Sequence, residues 1–309
     1  MNNKSSLASA ESIKARLKNE ADINKKNFDF LLLHYFIERL LFRLSISSYA
    51  NNFILKGGLL LYTVLNERGR ATKDIDFLAK NVSNTHSELV RIFTEIASIP
   101  VNDAVSFDTK NIIVESIKED ADYQGIRIKL TAYLDKSRRV LQFDIGFDDV
   151  IIPHQIEMLY PTLLDMEPPR LKAYSLESVI AEKFQAIVYL ADLNSRIKDY
   201  YDIFELSCHC DFKGTYLCDA IAQAFKNRKT DFNPYPVVFR DDFSLLTEKQ
   251  IQWQAFLNRT GIINTTNDFS VIIAGIKKFL LPVYEALVNK STFFGQWDKE
   301  SKTWDFINK

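Results

Sequence analysis

The chain has 309 residues, with 39 Lys and Arg against 40 Asp and Glu, so its net charge of −1 neither supports nor excludes a nucleic-acid partner, and any such site has to be a local patch. Apolar residues make up 47% and charged residues 26%, the balance of a globular chain and not of a disordered or fibrous one. No apolar run approaches the roughly 20 residues needed to span a bilayer.

The length suffices for one large domain or two moderate ones. In chain order, Ser9 is placed to cap a helix running to about Asn19. "NFDFLLLHYFIERLLFRLSIS" then predicts a second helix with a broad apolar face and Glu38, Arg39 and Arg43 opposite it. "FILKGGLLLYTVL" reads as a short strand over 53–55, a glycine turn and an apolar helix. "DIDFLAK" follows as a strand, and a helix around 83–98 ends before Pro100. "IIVESIKE", "GIRIKLTAYL" and "RRVLQFDIGF" alternate and are rich in Ile, Val and Tyr, so they predict antiparallel strands with turns at Tyr123–Gly125 and Asp135–Lys136–Ser137. The Pro-containing stretch 153–169 reads as a linker. Helices are expected at 175–191, 195–210, 215–228, 247–259 and 267–289, interrupted by the turn-rich "DFNPYPVVFRDD". The whole is an α/β (α+β) half followed by an α-helical half, divided as 1–165 and 166–309.

Cys208, Cys210 and Cys218 lie close together, but "SCHCDF" does not match common zinc spacings. They are read as reduced cysteines that bind no metal. The opening Met-Asn-Asn-Lys-Ser-Ser has no apolar signal core, so a cytoplasmic protein is expected.

The chemistry concentrates in "ILKGGLLLYTVLNERGRATKDIDFL", residues 54–78. Asp74 and Asp76 are two apart on a strand, so both emerge on one face roughly 7 Å apart, while Ile75 and Phe77 point the other way. Paired carboxylates repel and are costly to bury, so a divalent cation is one way to hold them, and solvation on an edge strand is the other. Hard oxygen ligands suit Mg²⁺. In "RRVLQFDIGF", Asp144 shares a face with Val140, Gln142 and Gly146 and can complete a triad for two ions about 4 Å apart. Asp148 and Asp149 are rivals beyond the expected strand end. Gly57 and Gly58 sit between strand and helix, where the backbone can approach a phosphate and the helix N-terminus faces it. Lys56 and Arg70 flank the turn and the carboxylate strand.

This ordered set resembles the DNA polymerase β-like nucleotidyltransferase superfamily, and more closely the AbiEii-type toxin nucleotidyltransferases of abortive-infection and type IV toxin–antitoxin systems. The carrying segments are "LKGGLLL" (55–61), "RATKDIDF" (70–77), "LQFDIGF" (141–147), "EKFQAIVYLADLNSRIKDYYDIFEL" (182–206) and "KQIQWQAFLNRT" (249–260). The Lys-Asp-x-x-Asp-Ile piece is the most specific to this family. The resemblance implies a nucleotidyltransferase-like mixed sheet with flanking helices and a helical C-terminal domain completing the cleft. It implies catalysis by Asp74, Asp76, Asp144 and Asp199, with metal on the first three. It implies nucleotide binding by Lys56, Gly57, Gly58, Lys183 and Arg196, with Asp202 in support. Two Mg²⁺ ions, an NTP substrate, an RNA acceptor (the 3′ end of tRNA), blocked translation and an antitoxin encoded nearby are implied as well. The chain departs from the superfamily at Leu59, where a Ser or Thr hydroxyl usually follows the glycine. A nucleotide-binding module without catalysis, or an enzyme acting on a small molecule or protein, are the alternatives. Basic clusters "KSRR" (136–139) and "FKNRK" (225–229) offer local RNA contacts or plain solvated surface.

Overall fold

The computed structural model describes residues 9–120, 123–147 and 149–306, so the opening Met-Asn-Asn-Lys-Ser-Ser and the rival Asp148 lie outside the described residues. The chain forms two compact units. One takes Met1–Thr63, Thr72–Asp148 and Ile156–Ala173, and the other takes Val64–Ala71, Asp149–Gln155 and Tyr174–Lys309.

In the first unit, α1 (Ala10–Ile23) starts where Ser9 accepts a hydrogen bond from Ser12 N, and α2 (Phe28–Ser45) where Asn27 accepts from Asp29 N and Phe30 N. Then come β1 (Phe53–Lys56), α3 (Gly57–Leu65), β2 (Asp74–Ala79), α4 (His86–Ala97), β3 (Ser106–Phe107), β4 (Ile113–Asp120), β5 (Tyr123–Leu134), β6 (Ser137–Gly146), β7 (Ile156–Leu159) and β8 (Arg170–Ala173). Among the described residues they make a mixed eight-stranded sheet in the order β3-β5-β6-β2-β1-β8-β7, with β4 also on β5. β2 runs parallel to β6 and antiparallel to β1, and β1 runs parallel to β8. One sheet face is core. There the ring of Phe77 meets those of Phe53 and Phe143, and both of these meet Phe93 of α4, with centroids 5.1 to 6.4 Å apart.

Three expectations are corrected here. Tyr123–Gly125 is strand rather than turn, because β5 already begins at Tyr123 and Gly125 pairs with Ile117. The stretch 153–169 is no mere linker, since it supplies β7, which pairs with β8 at the sheet edge. The third concerns α2, whose Glu38, Arg39 and Arg43 are buried rather than solvated. Arg43 donates to both carboxylate oxygens of Asp103, at 2.6 and 3.0 Å, and to Ile99 O and Val105 O. Arg39 lies 2.7 Å from Glu38 and donates to Glu167 O, and Glu38 accepts from Leu163 N. Buried charges persist when paired in this way. The partners are distant in sequence, so helical periodicity alone reads this face as solvent-facing.

In the second unit, α5 (Leu176–Leu190), α6 (Ile197–His209), α7 (Gly214–Asn227), α8 (Thr247–Thr260) and α9 (Phe269–Val288) fall where the periodicity places helices. Their shared core is aromatic, with Tyr284 against Phe184, Phe225 and Phe239, and Tyr200 against Phe243 and Phe269. The sequence reading missed β9 (Phe212–Lys213), β10 (Gly295–Asp298) and β11 (Thr303–Phe306), a small antiparallel sheet in the order β11-β10-β9. Strands of two to four residues carry too little alternation to be read. Among the described residues no helix is long and apolar enough to cross a membrane.

Candidate active site

The sheet face opposite the phenylalanine core is polar, and its residues stand in register. Asp76 on β2 faces Asp144 on β6, Asp144 faces Arg127 on β5, and on the other flank Asp76 faces Lys56 on β1. Side chains of directly paired residues share a face. The result is one row of Arg127, Asp144, Asp76 and Lys56, with two carboxylates side by side between two cations. One pleat away, Asp74 faces Gln142, whose Nε2 donates to Asp74 Oδ1 at 3.0 Å.

Arg127 grips Asp144 with two hydrogen bonds, Nε to Oδ1 at 2.8 Å and Nη2 to Oδ2 at 2.7 Å. This pairing, foremost the hydrogen bond itself, holds the guanidinium above its ordinary pKa. The pair is partly open to solvent, with side-chain exposures of 32% and 12%.

Gly57 explains itself at this site. Its φ is +68°, which favours glycine, and a methyl built on its Cα would lie 1.9 Å from Asp76 Oδ2. The turn into α3 is therefore pressed against the Asp76 carboxyl. Gly58 follows in the first helical turn, whose N–H groups have no partner within the helix. Leu59 is fully buried, so the position after the two glycines carries a core side chain.

The second unit holds a separate ion cluster between α5 and α6. Lys183 Nζ donates to Asp199 Oδ1 at 2.8 Å and lies 2.7 Å from Asp202 Oδ2. Arg196 Nε donates to Asp199 Oδ2 at 2.7 Å, and Arg70 Nε to Asp202 Oδ1 at 3.2 Å. Asp199 and Asp202 are buried, so these carboxylates form no solvated helix face. Burial alone would lower the Lys183 pKa, but Asp199 and Asp202 outweigh it and hold the ammonium above its usual value. Burial likewise pushes Asp199 up, while Lys183 and Arg196 bring it below the ordinary carboxylate range. Lys198 is pulled down by desolvation and by Arg70, Lys183 and Arg196, against the pull of Asp199. Four cations against two carboxylates leave the cluster with excess positive charge, an environment that favours an anion.

Sequence reasoning missed three residues here. Arg127 is the first. Lys249 is the second: it is buried and donates to the carbonyls of Asp192 and Asn194, at 3.0 and 2.7 Å. It thereby fixes the turn ahead of α6, where Asn194 Oδ1 accepts from Arg196 N. The third is Glu205, buried one helical turn beyond Asp202, with Arg68 and His209 at 3.8 and 3.4 Å. Burial pushes its carboxyl up to about 7, against the opposing charges of Arg68 and Lys302.

Of the remaining candidates, Asp149 accepts from Tyr174 Oη, and the three cysteines are free thiols. In the basic clusters, Arg139 pairs with Asp29, and Lys226 lines an open groove of about 530 Å³ with Tyr216, Asp219 and Gln223.

The sequence model of the nucleotidyl transferase AbiEii toxin family, type IV toxin–antitoxin system, matches residues 39–274. The chain belongs to this family. It is thus a nucleotidyltransferase of the AbiEii toxin type, and the matched span contains the carboxylate row, the glycine turn and the α5–α6 cluster. Among solved structures, JHP933 from Helicobacter pylori is 13% identical, with 82% of this chain and 90% of that one covered, at a TM-score of 0.46. A proposed nucleotidyltransferase from H. pylori is 14% identical, covering 86% and 97%, at a TM-score of 0.44. No curated protein matches the chain.

Nucleotidyltransferases of this family take an NTP and typically a divalent metal. Among the described residues no group of three or more His, Cys, Asp or Glu is arranged to hold a metal ion. What stands in place is narrower: two adjacent hard-oxygen carboxylates, Asp76 and Asp144, with Asp74 turned toward Gln142. That donor set fits Mg²⁺, which commonly takes one or two carboxylates and completes its shell with phosphate and water.

Proposed function

We propose that this AbiEii-type enzyme is a Mg²⁺-dependent toxin that transfers NMP from an NTP to the 3′ end of tRNA and so blocks translation in the cytoplasm, as part of phage defence. The observation that carries the reading is the row on the sheet, where Asp76 and Asp144 stand side by side and Gly57 is packed onto Asp76. A metal held there by Asp76 and Asp144, with Asp74 beside them, would neutralise charge on the triphosphate.

In the proposed reaction the acceptor hydroxyl oxygen bonds to the α-phosphorus, the bond to pyrophosphate breaks, and the hydroxyl proton passes to Asp144. The turn at Gly57 and Gly58 offers backbone N–H groups to phosphate, supported by the close backbone approach that glycine allows. Lys56 adds a cation at the end of the row. Lys183 and Arg196 are assigned to the triphosphate, a role supported by the excess positive charge around them, and Asp199 orients both. The antitoxin that a type IV system implies is the regulatory partner.

The test offers each of the four α-³²P-labelled NTPs in turn to total tRNA with Mg²⁺, using the wild type, Asp74→Asn and Asp76→Asn. Label should appear on RNA and vanish in both variants. Label retained by Asp76→Asn would sink the carboxylate assignment. No label, with NTP still raising thermal stability, would favour a binding module or another acceptor.

A further inference from the structure

We propose that Arg127 is a built-in counter-ion of Asp144 that competes with the divalent cation, so that the carboxylate pair takes a bare cation only weakly. The inference deepens the cation reading above and rests on it.

Asp76 and Asp144 are held side by side by strand register, and two such carboxylates repel. The fold answers that repulsion without a metal, by placing Arg127 on one flank of the pair and Lys56 on the other. Arg127 is the stronger partner in kind. Its guanidinium matches a carboxylate in a bidentate way, and both bonds are short, at 2.8 and 2.7 Å. Both Asp144 oxygens are already engaged by a cationic group, so a metal ion that takes a remaining lone pair of Asp144 binds against the charge of Arg127.

The exchange does not require Arg127 to leave the face. Its register partner on its other side is Glu115 of β4, a carboxylate one strand further from Asp144. Glu115 is held there by Lys129, 3.0 Å away, and Arg127 already feels its charge. With about a third of its side chain exposed, Arg127 has room to turn from Asp144 toward Glu115 when a cation arrives. The row thus holds two alternative counter-charges for one carboxylate, and it admits the metal when the phosphates of the nucleotide supply the rest of the shell.

The experiment measures Mn²⁺ binding to the full chain by the loss of the free-ion EPR signal, and thermal unfolding in EDTA and in Mn²⁺. The proteins are the wild type, Arg127→Gln, Arg127→Lys and Asp76→Asn. Arg127→Gln should bind Mn²⁺ on the order of tenfold tighter than wild type, the size typical of changes beside a metal ligand. Its unfolding midpoint should lie below wild type in EDTA and rise further on adding Mn²⁺. Arg127→Lys, which keeps the charge but not the fork, should fall between the two and covers the case in which the glutamine variant fails to fold. If Arg127→Gln and Arg127→Lys bind no tighter than wild type while Asp76→Asn abolishes binding, the competition is overturned and the cation reading stands. If no variant binds Mn²⁺, with or without NTP, both fall.

Discussion

The two charged regions solve the same problem in opposite ways. The row on the sheet is ordered by backbone pairing: Arg127, Asp144, Asp76 and Lys56 face one another because four strands are in register. It is partly open to solvent, which leaves its charges room to be re-partnered as proposed above. The α5–α6 cluster is ordered by its side chains, with Asp199 and Asp202 almost fully buried and each shared between Lys183 and an arginine. A desolvated cluster gains rigidity and tolerates little change, because a charge left behind there has no water to turn to. The difference teaches that the sheet row is the adjustable part and the helix cluster the fixed part.

The sharpest way to break that contrast is Lys183→Met, which takes from each of two buried carboxylates one of its two cationic partners and leaves Asp199 to Arg196 and Asp202 to Arg70. It should cost roughly 3–5 kcal/mol of stability in urea denaturation, and a loss below about 1 kcal/mol would show the cluster to be as forgiving as the sheet row. Gly57→Ala comes next. A side chain at positive φ costs about 1 kcal/mol, and the displaced Asp76 carboxyl should bring the total to about 2 kcal/mol. Nucleotide transfer should fall as far as in Asp76→Asn; an alanine variant with full activity would mean that the contact has slack.

The third prediction is a pH dependence. Glu205 has a folded pKa raised to about 7 by burial. The protonated form is the one the fold favours, so the stability it contributes is full below its unfolded value near 4.5 and is lost as pH rises through about 7. Wild type should lose on the order of 1–2 kcal/mol across that window relative to Glu205→Gln. Urea midpoints at pH 5 and pH 8 check this, and equal slopes in the two proteins would remove Glu205 as the cause. The smallest effect belongs to Lys129→Gln, which breaks the exposed pair with Glu115 and should change stability by no more than a few tenths of a kcal/mol.

Much of the sheet row was legible. Period-two alternation put Asp74 and Asp76 on one face and Asp144 on the polar face of its strand, and the scarcity of glycine marked Gly57. Arg127 was within reach as well. The two-residue turn at Asp135–Lys136 sets the hairpin register, and counting seven residues back on each side from Leu134 and Ser137 brings Arg127 opposite Asp144. The helix cluster was less legible. The i, i+3 spacing placed Asp199 and Asp202 near one face of α6, but Arg70 joins Asp202 from 132 residues away. The same limit hid the partners of Arg43 and the role of Lys249, since burial of a charge depends on a partner that local periodicity does not encode.

The contact of Gly57 with Asp76 has a consequence for how this site tolerates mutation. Because any side chain at position 57 would occupy the space of an Asp76 oxygen, the two positions can vary only together. A deep mutational scan scored by toxicity should therefore find position 57 as intolerant as the aspartate itself. Neighbouring Gly58, whose place in α3 requires no positive φ, should admit alanine more readily. The glycine is then best regarded as the empty half of the carboxylate's own binding shape.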